Sequence, residues 1–397
     1  MSIVSLRDLP AQAASFFDDG EDRRFGDLSD YVLSILKWTL EESFDHEVRS
    51  RIGCSSYERS PGRQDYRNGF RYRTIATRFG ALEKVKIPRI RTENYLPSIL
   101  SKHRQALPDV EELVGKSLLC GGTRKDVCEI LNLVFGYPPA QSLIARVEVY
   151  LDAEAKRFKN RPLLADYLYL FLDGAKVTIK EGLRSKTRMV LTAIGITHDG
   201  RKEVLGFERA RTESTEAWRG FLSRLVARGL NPSRLELIIS DEAAGILAAV
   251  SEVLGDVPHQ LCWAHRMRNA YETASKEHSK AIVADLRKVY RANSHREARI
   301  AFLVFKEHWR SIYPRLVATV EEDLGTLLAF FNCPREHWRY IRTTNPIERI
   351  FRDLRRRSFG WAGFANPKSC DRLLFGVFWQ ANQRWANNPV IESTHKR

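Results

Sequence analysis

The chain has 397 residues, of which 43% are hydrophobic and 10% are aromatic. This length predicts two or three domains rather than one core, and the apolar content excludes a chain that is disordered throughout. Its 64 Lys and Arg residues outnumber 49 Asp and Glu residues, giving a net charge of +15 that favours a polyanionic partner.

The cysteines and the apolar segments indicate the cellular compartment of the protein. Six cysteines are scattered without a CxxC pair, which is typical of a reducing cytoplasm rather than of a secreted, disulfide-linked fold. The first residues lack the basic leader and apolar core of a signal peptide, and no apolar stretch approaches the roughly 20 residues that span a bilayer. We therefore expect a cytoplasmic protein without a membrane partner.

Two different segments open the chain. Residues 1–60 are predicted to form one or two amphipathic helices that pack internally or against another subunit. In residues 61–105, basic and apolar residues alternate with turn signals at Asn68-Gly69 and Gly80, which predicts short strands with one cationic face. A solvated basic face is the alternative, but the interleaved aromatic residues favour binding of a nucleic-acid backbone. The candidate DNA-binding residues here are Arg67, Arg71, Arg73, Lys84, Lys86, Arg89 and Arg91.

Residues 106–160 are predicted to be helical, with breaks at Gly121-Gly122 and at Gly136-Tyr-Pro-Pro. A helix, a short turn and a second helix are the shape of a helix-turn-helix module, whose second helix enters the major groove of DNA. Helical hairpins also serve as packing modules, and the residues leave both interpretations open. As a DNA reader, the second helix would present Gln141, Ser142 and Arg146.

Residues 161–268 change to an alternation of strands and helices. An apolar strand ends in Asp173 and continues after a kink, a second strand and a hairpin turn at 198–200 follow, and a helix covers about 214–228. A strand that ends in Asp241, a helix and a strand over 259–265 complete the segment. This order predicts an RNase H-like α/β core, in which the first strand is central and the fourth lies beside it.

The remaining residues are predicted to be helical. Residues 269–340 are rich in charged and aromatic residues. Trp309 and Trp338 are expected in the core of these helices, with stacking on an unpaired nucleic-acid base as the alternative. Residues 341–397 contain a basic helix over 345–357 and then an apolar helix. Five arginines on the basic helix favour contacts with DNA phosphates over a merely solvated face. Three of them, Arg352, Arg355 and Arg356, are the candidate contacts.

Three acids are the candidate metal ligands: Asp173, Asp241 and Glu348. A carboxylate at the end of a buried strand is costly unless a cation compensates for its lost hydration, and two metal ions can activate a water or hydroxyl for attack on a phosphodiester. Each acid also has an alternative explanation as a structural residue. Asp173 could be a turn residue, Asp241 the N-cap of a helix, and Glu348 the third residue of a capping box that begins at Asn345.

Cys262 and His265 have the spacing of a Cys-x-x-His element. A structural zinc site needs four ligands, and no second pair has a suitable spacing. We expect instead that His265 forms hydrogen bonds beside the acids, with a buried structural histidine as the alternative.

In order along the chain, several motifs resemble those of the bacterial Mutator-like DDE transposases of insertion sequences. They are Tyr66-Arg-Asn-Gly-Phe-Arg, Ile87-Pro-Arg-Ile-Arg, Leu172-Asp-Gly, Ala193-Ile-Gly-Ile-Thr-His-Asp-Gly, Glu213-Ser through Trp218, Arg228-Gly-Leu, Ser240-Asp, Gln260-Leu-Cys-Trp-Ala-His-Arg-Met-Arg-Asn and Thr343-Thr-Asn-Pro-Ile-Glu-Arg. The resemblance covers about residues 60–385. The departure is Glu242, where the family usually has Gly after its second Asp.

The resemblance implies a catalytic role for Asp173, Asp241, Glu348 and His265, with Cys262 supporting the motif. It also implies that the helices between the second and third acids form an all-helical insertion domain, and that Arg355 contacts phosphate. The fold expected is therefore α/β, with an RNase H-like catalytic core and a helical insertion domain, preceded by N-terminal helical and basic DNA-binding modules.

The function expected is a DNA transposase, located in the bacterial cytoplasm with the nucleoid. It would bind terminal inverted repeats and target DNA, both double-stranded, and catalyse metal-dependent cleavage and strand transfer. Magnesium is the expected ion, with two ions per site and Mn²⁺ as a substitute, because oxygen ligands and phosphates suit it. Two ends must be joined, so a homodimer or larger assembly is expected. The alternatives are an RNase H-like nuclease or resolvase without strand transfer, and a catalytically inactive DNA-binding regulator.

Overall fold

A computed structural model describes residues 28–58, 60–77, 79–92, 95–100, 108–135, 138–182, 184–358 and 362–389. Helices combine with a two-stranded and a five-stranded sheet, so the expected mixed α/β class is confirmed. The chain divides into two compact units. The first lies within Met1–Val114 and Arg124–Ala145, and the second within Gly115–Thr123 and Arg146–Arg397. The six segments proposed from the sequence stay a prediction.

In the first unit, one helix packs on a β-hairpin. Helix α1 (Leu28–Ile52) confirms the helical prediction for its part of residues 1–60; residues 1–27 lie outside the described residues. Strands β1 (Arg67–Thr77) and β2 (Gly80–Ile90) pair antiparallel. The core between the helix and the hairpin contains Leu40, Phe44, Ile75, Val85 and Ile87.

The hairpin differs from the prediction in two respects. Asn68-Gly69 makes no chain reversal but lies within β1, where Gly69 has φ 70 and the register shifts between Arg67 and Phe70. The predicted single cationic face is also wrong. Arg71 and Arg73 pair with the buried Ile87 and Val85, whereas Lys86 pairs with the exposed Tyr72. Cross-strand partners share a face of the sheet, so the basic residues divide between both faces.

Helices α2 (Pro108–Leu119), α3 (Arg124–Phe135) and α4 (Gln141–Asn160) confirm the predicted helical segment and its first break. Gly136 and Tyr137 of the second predicted break lie outside the described residues. The first break requires glycine at its turn. Gly121 has φ 102, and a Cβ atom there would lie 2.8 Å from the carbonyl oxygen of Arg357.

The five-stranded sheet of the second unit has the order β5-β4-β3-β6-β7. The strands are β3 (Tyr167–Glu181), β4 (Arg184–Thr197), β5 (Lys202–Ala210), β6 (Leu237–Ser240) and β7 (His259–Leu261). The first strand of this sheet is central and the fourth lies beside it, as expected from the order of the elements. The predicted hairpin turn joins β4 to β5, with Gly200 at φ 79.

Two strands differ from their predicted extent. No kink follows Asp173, because β3 pairs with the 14-residue β4 without a register shift from Tyr169 to Glu181. The strand predicted over residues 259–265 ends at Leu261, because the neighbouring β6 is only four residues long. His265 therefore lies on a helix.

Helices cover both faces of the sheet. Helices α5 (Thr215–Ala227) and α6 (Ala244–Leu254) bury Trp218 and Ile246 against one face, together with Leu170 of β3. Against the other face, Phe171 and Phe378 belong to the core that includes α13 (Asn345–Arg357) and α14 (Pro367–Ala386). The basic helix and the apolar helix predicted at the end of the chain are both confirmed.

The chain between the sheet and α13 is helical, as predicted. Its helices are α7 (Trp263–Thr273), α8 (Ser279–Tyr290), α9 (His295–Trp309), α10 (Pro314–Glu322), α11 (Leu324–Leu327) and α12 (Trp338–Ile341). Their apolar residues share one core with the sheet, and Trp309 is buried there. No helix in the described ranges is both long and apolar enough to cross a membrane.

Candidate active site

Two parallel strands bring the first two acids to one edge of the sheet. Phe171 of β3 pairs with Ile239 of β6. Asp173 lies two residues further along β3, and Asp241 is the first residue after β6. Neighbouring strands lie about 4.8 Å apart. Because β6 ends at Ser240, the pairing stops there and leaves both carboxylates where β6 departs from the sheet.

Asp173 is buried in the middle of β3, opposite Thr192, so the interpretation as a turn residue is wrong. Its Oδ1 accepts a hydrogen bond of 2.8 Å from the N–H of Gly174. Burial raises the pKa of Asp173 to about 7. The charge of His265 opposes this rise, and the charges of Asp241 and Glu348 add to it.

Asp241 is half-buried and does not cap helix α6. The N-cap of that helix is Ala243, whose N–H donates to Oδ1 of Asp241 at 3.3 Å. This contact stabilises the turn after β6 and does not satisfy the helix terminus. The N-cap alternative for Asp241 is therefore wrong.

Glu348 lies in the first turn of α13, yet it forms no capping box. The N-cap of this helix is Thr344, and no side chain caps it. Oε1 of Glu348 lies 2.8 Å from Nη2 of Arg268 and 3.8 Å from Nε2 of His265. The side chain of Glu348 is thus directed at charged groups of α7 rather than at its own helix end.

His265 stands among the three acids on the first turn of α7. The neighbouring Cys262 sulfur raises the pKa of His265 to about 9, although the imidazole Nδ1 completes no hydrogen bond with any described residue. Burial acts in the opposite direction, and the carboxylates of Asp173 and Asp241 add to the rise. The raised pKa favours the protonated imidazole, which can donate hydrogen bonds to anionic oxygens.

Cys262 forms hydrogen bonds with both of the segments that carry the second and third acids. Its N–H donates to the carbonyl oxygen of Ser240 at 2.7 Å, directly before Asp241. Its sulfur accepts the N–H of Thr344 at 3.2 Å and lies 3.3 Å from the hydroxyl of that residue. Because Thr344 is the N-cap of α13, this buried cysteine fixes the start of the helix that carries Glu348.

Glu242, the departure from the resembling family, points away from these acids. Oε2 of Glu242 lies 2.6 Å from Nη2 of Arg266, and Asn269 donates a hydrogen bond to Oε1. Arg266 also pairs with Asp323 between α10 and α11. The additional carboxylate is therefore neutralised by a buried guanidinium.

Glu213, in the loop before α5, was not among the candidates from the sequence. Its Oε1 accepts a hydrogen bond of 3.3 Å from Nε1 of Trp218 and approaches Gly174 closely. Burial raises the pKa of Glu213, and the charge of Asp241 adds to the rise. Arg268, the partner of Glu348, was missed as well. Both residues stand in stretches that resemble the family, but only the tertiary contacts bring them to the acids.

The candidate DNA-binding residues differ in their exposure. Arg67 pairs with Asp45, Arg71 donates to the carbonyl oxygen of Tyr95 at 3.3 Å, and Arg73 and Arg146 are half-buried. The others are exposed on the hairpin, on α4 and on α13, where Arg356 pairs with Asp353. The exposed residues are Lys84, Lys86, Arg89, Arg91, Gln141, Ser142, Arg352, Arg355 and Arg356. Their contact with DNA stays a prediction.

As they stand, the described side chains include no group of three or more His, Cys, Asp or Glu residues that could hold a metal ion. The three acids therefore lie in one region, but their side chains do not converge on a common metal position. Three segments distant in sequence carry them: the middle of β3, the residue after β6 and the first turn of α13.

Comparison with known proteins places the chain among proteins of one kind. The sequence model of a family described as "Transposase, Mutator family" matches residues 13–388. The transposase for insertion sequence element ISRM5 of Rhizobium meliloti is 31% identical over 90% of this chain and 89% of that protein. The transposase for IS406 of Burkholderia multivorans is 33% identical over 98% and 97%. The transposase for IS256 in transposon Tn4001 of Staphylococcus aureus is 27% identical over 90% and 91%.

Proposed function

The chain belongs to the Mutator family of transposases, and we propose that it binds the terminal inverted repeats of a mobile element and catalyses metal-dependent DNA cleavage and strand transfer. The observation that carries this proposal is the common register of Asp173 and Asp241 at the edge of the β3–β6 pair, with His265 and Glu348 beside them. Carboxylates so placed are the ligands that phosphoryl-transfer enzymes use for divalent cations.

An RNase H-like core is part of this proposal. The sheet supports it: the central β3 pairs antiparallel with β4 and parallel with β6, while β5 pairs antiparallel with β4 and β7 pairs parallel with β6. The helices between Asp241 and Glu348 would then be an insertion into that core. Their apolar residues pack into the same core as the sheet, which would hold the third acid in place relative to the first two.

The chemistry of the acidic residues fits a divalent cation. Asp173 is buried, and the only hydrogen bond to its carboxylate within the described residues comes from the N–H of Gly174. Thr192, opposite it, is fully buried with a hydroxyl that has no partner among those residues. Oxygen ligands of this kind suit Mg²⁺, with Mn²⁺ as its substitute, and Asp173, Asp241 and Glu348 would hold two ions. The bound ions would supply an activated nucleophile and stabilisation of the leaving oxygen.

The protein's own groups would position the DNA. Protonated His265 would donate a hydrogen bond to a phosphate oxygen beside the acids, and Arg268, half-exposed next to Glu348, would neutralise a neighbouring phosphate. Arg352 and Arg355 on the exposed face of α13 extend this positive surface, and among the described residues neither has an ion-pair partner. We assign recognition of the terminal repeats to the β1–β2 hairpin and to helix α4.

Cleavage of labelled DNA that carries the element's terminal repeats tests the proposal. Wild-type protein and Glu348→Gln are compared in Mg²⁺ and in EDTA. We expect cleavage only with the metal, and a loss of roughly 100-fold or more in the variant, because one charged group at the reacting phosphate is removed. Glu307→Gln, which neutralises an exposed acid of α9, is the matched control and keeps its activity.

A second DNA molecule in the same reaction distinguishes the alternatives. Joining of the cut end to this target supports a transposase, whereas cleavage without joining indicates an RNase H-like nuclease or resolvase. Binding to the repeats without cleavage under any metal condition indicates an inactive regulator. Joining also requires that two ends meet, so we propose that the active form is at least a homodimer.

A further inference from the structure

We propose that a cavity between β3 and α13 holds one unpaired base of the DNA, next to the phosphate that is cleaved. This inference rests on the proposed function and adds a base-binding site to it. The cavity has a volume of about 140 Å³. It is lined by residues of β3, of α13 and of the segment just before α14, all of which belong to the second unit.

The size and the walls of the cavity suit a planar aromatic ring. An apolar cavity of about 150 Å³ in another protein holds one benzene molecule, so the volume here accommodates a six-membered ring such as that of a pyrimidine. The apolar walls are formed by four buried side chains: Val177, Phe351, Leu354 and Phe364. Aromatic side chains are surfaces on which unpaired bases stack, and the cavity contains two of them.

The backbone of β3 offers hydrogen bonds to a base in this cavity. On the edge of β3 opposite β4, the pairing with β6 ends at Phe171. Further along this edge, Phe364 donates its N–H to the carbonyl oxygen of Thr178 at 2.8 Å and accepts the N–H of Lys180 at 2.9 Å. Peptide groups two residues apart point to the same edge of a strand, so the N–H and C=O of Lys176 face the gap, where no described strand pairs with β3. The Watson–Crick edge of an unpaired base carries donors and acceptors that such a peptide group can bind.

Both elements that line the cavity also carry acids of the candidate site. Side chains on one face of a strand recur every second residue, so Ala175, which lines the cavity, lies on the same face of β3 as Asp173 and about 7 Å further along. On α13, Arg355 lines the cavity and lies about two turns beyond Glu348, on the same side of the helix. A base in the cavity would therefore belong to a nucleotide beside the acids.

The charges around the cavity favour a nucleotide over a neutral apolar ligand. Lys176 and Arg355 both line the cavity, and both side chains are exposed. Neither of them forms an ion pair with a residue in the described ranges. Two cations beside a cavity of the size of one ring can bind the phosphates that flank an inserted base.

Filling the cavity tests the proposal without removing its apolar walls. The full chain in EDTA is titrated with two duplexes that carry the element's terminal repeat, one with an unpaired thymine beside the cleavage position and one with an abasic site there. We expect the wild type to bind the thymine duplex about tenfold more tightly, because stacking of one base contributes on that scale.

Ala175→Leu and Ser358→Leu each fill the cavity, one from β3 and the other from the end of α13. Both variants should lose the preference for thymine and keep the affinity for the abasic duplex. Their thermal unfolding temperatures should not fall, because filling a cavity does not remove packing. Ala227→Leu, at the exposed end of α5, is the matched control and should keep the preference.

The outcomes distinguish failure of this inference from failure of the proposed function. Equal affinity of the wild type for the two duplexes, or a preference for thymine that both filled variants keep, refutes the base-binding cavity alone. Filled variants that lose affinity for both duplexes alike also refute it, because the lost contact is then not with the base. If the wild type binds neither duplex, recognition of the terminal repeats is wrong and the proposed function fails too.

Discussion

At the scale of single residues, one buried arginine neutralises the additional carboxylate next to the acidic site. The chain has Glu next to Asp241, and one additional carboxylate there would repel the others if it pointed inward. Arg266, which is 3% exposed, pairs with Glu242 and with Asp323. The Arg266 guanidinium thereby holds the Glu242 carboxylate away from the other acids. It also links Glu242 to Asp323, in the helical segment that precedes the third acid.

Replacing Arg266 tests this arrangement at the scale of one residue. Arg266→Leu should lower the free energy of unfolding by about 3 kcal/mol, because it leaves two carboxylates without their buried partner. Urea denaturation measures the change. Arg219→Leu is the control: it breaks a pair with Glu252 in which both side chains are nearly half-exposed, and its loss should be far smaller. Equal losses in the two variants would contradict a buried role for Arg266.

At the scale of elements, the hairpin β1–β2 separates structural from exposed basic residues. Arg67 pairs with Asp45 of α1, and Arg71 bonds the carbonyl oxygen of Tyr95. On the other face, Lys86 is exposed beside Tyr72. A strand alternates its side chains between two faces, so a run of basic residues does not make one basic surface.

The hairpin should bind DNA through its exposed cations. Replacing Lys84, Lys86 and Arg89 together with Ala should make the slope of log affinity against log salt shallower by about 2 to 3, since each phosphate contact contributes about 0.9. Thermal stability should not change. Arg67→Ala is the contrasting variant, because it should destabilise the protein and leave the salt slope nearly intact. A triple variant with the wild-type slope would remove the hairpin from the DNA interface.

At the scale of the whole molecule, the apolar residues divide between the two units. In the first unit, Phe44 belongs to a core formed by α1 and the hairpin. In the second, Phe378 belongs to the core under the five-stranded sheet. Both side chains are fully buried. The helical residues between the second and third acids share the second core, so they should unfold together with the sheet.

Calorimetry of the full chain should therefore show two unfolding transitions. Phe44→Ala should lower the temperature of one transition and Phe378→Ala that of the other, since each removes about 3 to 5 kcal/mol from its own core. The two variants serve as controls for each other. A single transition that both variants shift alike would show that the units unfold as one.

Local patterns in the sequence were enough to predict most elements. The apolar spacing around Trp218 predicted α5 and its buried face, and the turn residues at 198–200 predicted the β4–β5 hairpin. The family resemblance was also readable from the sequence, and the comparison with known transposases confirmed it. Periodicity and turn chemistry depend on neighbours in the chain, so they can be read without the fold.

Only the tertiary structure decided what the individual acids do. From the sequence alone, Asp241 and Glu348 could equally be residues that cap their helices. In the structure, the N-cap of α6 is Ala243 and that of α13 is Thr344. The side chain of Glu348 contacts Arg268, and that of Glu213 lies against Gly174. The physical reason is that these environments are made by residues far apart in the chain. Desolvation, ion pairing and close approach arise only when β3, β6, α7 and α13 pack together.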